Sequence, residues 1–184
     1  MRNRWMYIWS MMVVMTLVSL LASCKTDGPA SALKIEDESA IYAAVIRQLA
    51  MVDDTFGGNL NPVKLYIIKY TDDKAGNPSG QQSHSTLISQ TIQGKITELL
   101  RDLPIEVVWI EEFENAEFES GTKTVQGNGA IITLGNIYLQ EDGSVKVAGS
   151  IYIANQAAGG TTYVLEKGNG VWEITGRVGV SWIS

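Results

Sequence analysis

Residues 86–113, TLISQTIQGKITELLRDLPIEVVWIEEF, change their hydrophobic period halfway along. From Thr86 to Leu103 the apolar residues Ile88, Ile92, Ile96, Leu99 and Leu103 recur every three or four positions. That spacing places them on one face and predicts an amphipathic helix lying on an apolar surface. Gly94 inside it costs about 1 kcal/mol relative to Ala, and Pro104, which cannot continue a helix, ends it. Past the proline the period drops to two. Ile105, Val107, Trp109 and Phe113 fall on one side of a strand running to Phe113.

Working outward, Val63 to Tyr70 reads as another strand. Val63, Leu65 and Ile67 lie on one face and Tyr66, Ile68 and Tyr70 on the other, so both faces should be covered. Strand, helix, strand with a long connection predicts a parallel pair joined by a right-handed crossover. The intervening stretch, Thr71 to Ser85, is polar and forms the longest loop. Before these elements, Asp37 is the expected N-cap of a helix reaching about Val52, with Ile41, Val45, Leu49 and Val52 at helical spacing, widened by Tyr42 and Ile46. Asp53-Asp54 and Gly57-Gly58 should terminate it.

The last third predicts strand upon strand. Ala130 to Gln140 leads into a hairpin at Asp142-Gly143. Val145, Val147, Ile151 and Ile153 form the next strand. Gly159-Gly160 should then turn the chain into Thr161 to Lys167, and Asn169-Gly170 makes a second tight hairpin. The closing strand should carry Trp172, Ile174, Val178, Val180 and Trp182 on one face. The expected class is α+β: two helices packed on one twisted, mostly antiparallel sheet of about five to six strands. The closing hairpin, with Gly170, Trp172 and Ile174 after Tyr163-Val164-Leu165, resembles the end of cone-shaped domains of the nuclear-transport-factor and ketosteroid-isomerase-like superfamily. That family places its helices before most of its strands, whereas here a strand precedes the second helix, so none of its pocket residues is carried over.

The N-terminus has a different character. Arg2 and Arg4 precede a charge-free apolar stretch from Met6 to Leu21, broken only by Ser10, Thr16 and Ser19. At its end stand Leu21-Ala22-Ser23-Cys24, holding the only cysteine of the chain. These four residues, an aliphatic one, two small ones and a cysteine, resemble the lipobox of bacterial lipoproteins. The resemblance implies that residues 1–23 are a signal peptide, that Cys24 Sγ receives a diacylglyceryl group, and that cleavage makes Cys24 the first residue. A plain signal peptide or a retained membrane anchor are the alternatives, the latter disfavoured because a span needs about 20 apolar residues. Residues 24–36 then form the lipidated cysteine and its tether, and 37–184 a single domain. Enteric-type lipoproteins are held at the inner membrane by an aspartate directly after the cysteine; here that residue is Lys25.

Loss of residues 1–23 removes Arg2 and Arg4 and takes the formal charge from −6 to −8. So acidic a chain is a poor partner for nucleic acid, and its membrane contact should come from the lipid on Cys24. With one cysteine no internal disulfide forms, and packing alone must hold the fold.

No residue pattern calls for a cofactor. His84, the only histidine, sits among Ser79, Ser83 and Ser85, but a hydrolase needs a third group to orient the imidazole, and no Gly-x-Ser-x-Gly elbow is present. Zinc needs several His or Cys ligands. Calcium takes oxygen ligands alone, and Glu111, Glu112, Glu114, Glu117 and Glu119 crowd together with Asp53-Asp54 and Asp72-Asp73 elsewhere; a solvated loop pinned by Phe113 and Phe118 is the expectation. Trp109, Tyr138, Tyr152, Tyr163, Trp172 and Trp182 all fall on expected strands, where they either build core or line a ligand face. The functional expectation is an exported, lipid-anchored lipoprotein of the bacterial cell membrane or outer membrane, with a non-enzymatic binding or structural domain. Its partner would be an envelope protein or a small apolar ligand. The alternative is a small ligand-binding or enzymatic domain with an apolar pocket between helices and sheet.

Overall fold

A computed structural model describes residues 33–53, 61–80 and 84–184. Cys24 with the segment before it, most of the tether, Asp54, Gly57-Gly58 and Ser83 lie outside the described residues. Helix α1, Ile35–Arg47, runs on as a π-helical turn, Gln48–Val52. Strand β1 is Lys64–Ile68, helix α2 is Gln90–Leu99 and β2 is Glu106–Ile110. Then come β3, Gly129–Leu139; β4, Val145–Ala154; β5, Ala157–Gly168; and β6, Val171–Ile183. They make one mixed six-stranded sheet in the order β2-β1-β3-β4-β5-β6.

The period change at Pro104 gives the expected unit. β1 and β2 pair in parallel with α2 between them in sequence, and β1 also pairs in parallel with β3. The three remaining pairings are antiparallel, so the architecture is the expected α+β one. Both helices cover the same face. Val45 of α1 and Leu49 of the π turn reach to within 3.0 Å of a Cβ built on Gly149 of β4. Ile41, Ile46, Ile92, Ile96, Leu65, Ile132, Val147 and Leu165 join one apolar core there. The other face is covered by connections. Tyr66, Ile110 and Ile131 pack with Ala116 and Val125, flanked by Phe113, Phe118 and Tyr152. Further along, the Asp73–Ala75 turn lies on β3–β5. β1 is therefore covered on both sides, as its two apolar faces require.

Several boundaries differ from the sequence reading, each for a physical reason. α1 starts at Ile35 with Lys34 as N-cap, so Asp37 is not the cap; its carboxylate is taken by Lys167 and Trp172. α2 starts at Gln90, because Thr86 to Ile88 are held extended by hydrogen bonds to the 69–71 backbone, and Ser89 caps the helix. Its inner stripe is Ile88, Ile92, Ile96 and Leu100; Leu99 is exposed. Val52 is exposed as well, at the end of the π turn. The Asp142-Gly143 hairpin has a five-residue connection, 140–144, with only Gly143 left-handed (φ 85°), whereas Asn169-Gly170 has both residues left-handed, as a two-residue hairpin turn demands.

Gly159-Gly160 is not a turn. It lies inside β5, where a Cβ on Gly160 would stand 2.1 Å from the Ala75 carbonyl oxygen. Glycine is required there by close approach, a second use of the residue in strands. In β6 the register shifts between Leu165/Ile174 and Val164/Gly176, leaving Thr175 as a bulge. The bulge reverses which side each later residue faces. Trp172 and Ile174 face the helices, and Val178 and Trp182 face the opposite side, beside Thr162 and Gly160.

Candidate functional site

The six candidate aromatic residues are divided between the two faces. Trp109, Tyr163 and Trp172 pack on the helix side, and Tyr138, Tyr152 and Trp182 lie on the other, so they form neither one pocket nor one flat patch. Each also gives its polar hydrogen to a partner within the fold. Trp109 Nε1 donates to Thr97 Oγ1 (3.0 Å), Trp182 Nε1 to the Ala75 carbonyl (2.8 Å) and Tyr152 Oη to the Lys123 carbonyl (2.7 Å). Tyr138 Oη donates to Asp73, whose other oxygen accepts from the Asn136 amide (2.7 Å). Asn136 and Thr71 are buried, and Thr71 Oγ1 donates to Asn136 Oδ1 (2.9 Å). This polar knot fastens the 71–86 connection onto β3.

His84 is exposed, and its carbonyl accepts from Asn136 Nδ2; Ser79 and Ser85 are exposed too. The acidic run starts a short 3-10 turn at Phe113, with Glu112 and Asn115 closing a capping box. Phe113 stacks edge-on against Tyr152 at 4.8 Å, all five glutamates are exposed, and Glu111 and Glu117 pair with Lys69 and Lys64. Among the described residues no three His, Cys, Asp or Glu side chains converge to hold a metal ion.

The arrangement with the most chemistry lies where α1 ends. Asp53 directly follows the π turn. Its Oδ1 accepts from Gln48 Nε2 (2.5 Å) and from Arg177 Nη2, and its Oδ2 accepts from Tyr163 Oη. The carboxylate side chain is 6 % exposed, while that of Arg177 is 48 % exposed. Burial, and then the Asp53 carboxylate, push the Tyr163 hydroxyl well above the usual tyrosine range, so it stays a donor. The Arg177 guanidinium sits 5.7 Å from the Tyr163 ring centroid. Beside this group opens a cleft of about 180 Å³ lined by Leu49, Thr161, Ser181, Trp182 and Ile183, with Gly159 and Gly160 as a bare wall. Ser181 Oγ donates to Thr161 Oγ1 at 2.9 Å.

Three departures from regular structure meet at this cleft. The π turn supplies Leu49 and leads into Asp53. A second register shift in β6, between Gly160/Trp182 and Thr162/Val178, sets three residues opposite Thr161. Gly179 within it is left-handed (φ 76°). π turns and bulges concentrate at functional sites because they re-aim side chains at some cost in regular hydrogen bonding. In the sequence Asp53 reads as a helix terminator. Tyr163 and Arg177 stand 110 and 124 residues further on, and no local pattern links them. Comparison with family models, curated proteins and solved structures finds no match.

Proposed function

We propose that this chain is a lipid-anchored lipoprotein of the bacterial cell envelope, with a domain that works by binding rather than catalysis. The observation that carries it is Leu21-Ala22-Ser23-Cys24 closing a charge-free apolar run that follows Arg2 and Arg4. A cysteine thiol at that junction is the acceptor for a diacylglyceryl group, and two or more acyl chains give stable anchoring. Residues 25–36 would hold the domain close to the bilayer, at the cell membrane or the outer membrane. Among the described residues no helix is long and apolar enough to cross a membrane.

Cys24→Ser tests the anchor. The variant should lose lipid labelling and partitioning into detergent while keeping the circular dichroism of the folded domain. Unchanged membrane association would mean that the apolar segment is retained as an anchor. A second reading, of a domain that takes a small ligand between helix and sheet, is favoured by the cleft beside Asp53.

A further inference from the structure

We infer that the Asp53–Arg177 cleft is a binding site for a small organic carboxylate with a short apolar tail, an inference that rests on the small-ligand reading above. Size comes first. A half-open cleft of about 180 Å³ holds several waters and so has room for a short-chain organic anion.

Polarity decides the class. One end of the cleft is apolar, formed by Leu49 and Ile183. At the other, donors are in excess. Arg177 carries five N–H groups, and among the described residues Nη2 is the nitrogen joined to Asp53. Its Nε and Nη1 remain to meet a ligand at a half-exposed position. Thr161 Oγ1 and Ser181 Oγ are hydrogen-bonded to each other, which uses one of their two hydroxyl hydrogens and leaves the pair one to donate. The acceptor facing these donors, Asp53, is occupied by Gln48, Tyr163 and Arg177. A ligand cation would have to displace Arg177, whereas a carboxylate engages the unused edge of a planar fork suited to it. Asp53 and the Tyr163 ring hold that fork in place before the ligand arrives, and preorganisation of this kind favours binding.

The test uses the full-length chain titrated with butyrate and with butyramide, which has the same shape and no charge. Isothermal titration calorimetry is the readout. Butyrate should bind saturably and at least tenfold more tightly than butyramide. Arg177→Gln should abolish the preference for the anion. Because Arg177→Gln also unpairs Asp53, Ile183→Glu serves as a second variant: Ile183 is 67 % exposed, so the domain should stay folded while the new carboxylate repels butyrate and binding falls at least tenfold. Equal binding of butyrate and butyramide would overturn the anionic class and leave a small-ligand domain. No saturable binding of either would overturn the site itself; the anchor is reported separately by Cys24.

Discussion

Two aspartates bracket the first helix, and the fold clamps them with the same parts. Asp37, in the first turn, is bound by the Lys167 ammonium of β5 and by Trp172 Nε1 of β6. Asp53, just past the last turn, is bound by the Arg177 guanidinium of β6 and by the Tyr163 hydroxyl of β5. Each clamp sets one carboxylate against one cation and one aromatic donor, with Gln48 added at Asp53, and together they hold α1 along the last hairpin. Their surroundings differ. The Asp37 side chain is 21 % exposed, and the hairpin beside it is regular up to its Asn169-Gly170 tip. Asp53 is nearly buried, next to a bulged strand and an open cleft. The first clamp is a staple; the second combines a staple with a place for a ligand.

The sharpest way to separate them is to delete each carboxylate. Asp53→Ala would leave Gln48 Nε2 and the Tyr163 hydroxyl without their acceptor in a largely closed site, a cost of about 2 kcal/mol. Arg177 can regain water, which keeps the loss below that of a fully buried pair. Asp37→Ala breaks a solvent-screened pair and should cost under about 1 kcal/mol. Denaturant midpoints of the two variants measured together check the order, and equal losses would remove the distinction.

Tyr163→Phe is the next effect in size, about 1 kcal/mol at neutral pH, and it has a signature in alkali. A hydroxyl whose folded pKa is raised contributes stability that is complete below its unfolded value of about 10 and is lost as pH rises above it. Tyr42, pushed upward mainly by burial, acts in the same direction. Stability of the wild-type chain should therefore fall above about pH 10, and Tyr163→Phe should make that fall shallower. The Asp37 clamp answers in acid and by the smallest amount. Lys167 first, then Trp172, hold its carboxyl below the usual range, so its contribution is present above about pH 4 and fades as pH drops through the folded value. Asp37→Asn should flatten that acid limb and leave the alkaline one unchanged. Unfolding midpoints across pH read both.

The contrast between the clamps is also a contrast in what the sequence displays. Ile88, Ile92 and Ile96 announce a helix because their spacing is local, and Asn169-Gly170 announces a hairpin because the left-handed backbone is a property of those two residues. Tertiary needs leave no such trace. Gly159-Gly160 looks like a turn until the Ala75 carbonyl is seen pressing on Gly160. The regular alternation of β6 hides the Thr175 bulge that sends Trp182 to the far face. Asp37 has the chemistry of an N-cap and is used instead by a hairpin 130 residues downstream. Asp53 looked like a terminator and is one; its second use depends on Tyr163 and Arg177, which only the folded sheet brings to it. The six aromatic residues were legible as strand residues, and their division between two faces was not.

The lipid anchor is the claim on which the proposed function stands, and the intact mass of the chain recovered from membranes tests it most directly. The expected species begins at Cys24 and carries a diacylglyceryl group, with residues 1–23 absent. A chain that retains residues 1–23, or one recovered with an unmodified Cys24, would contradict it.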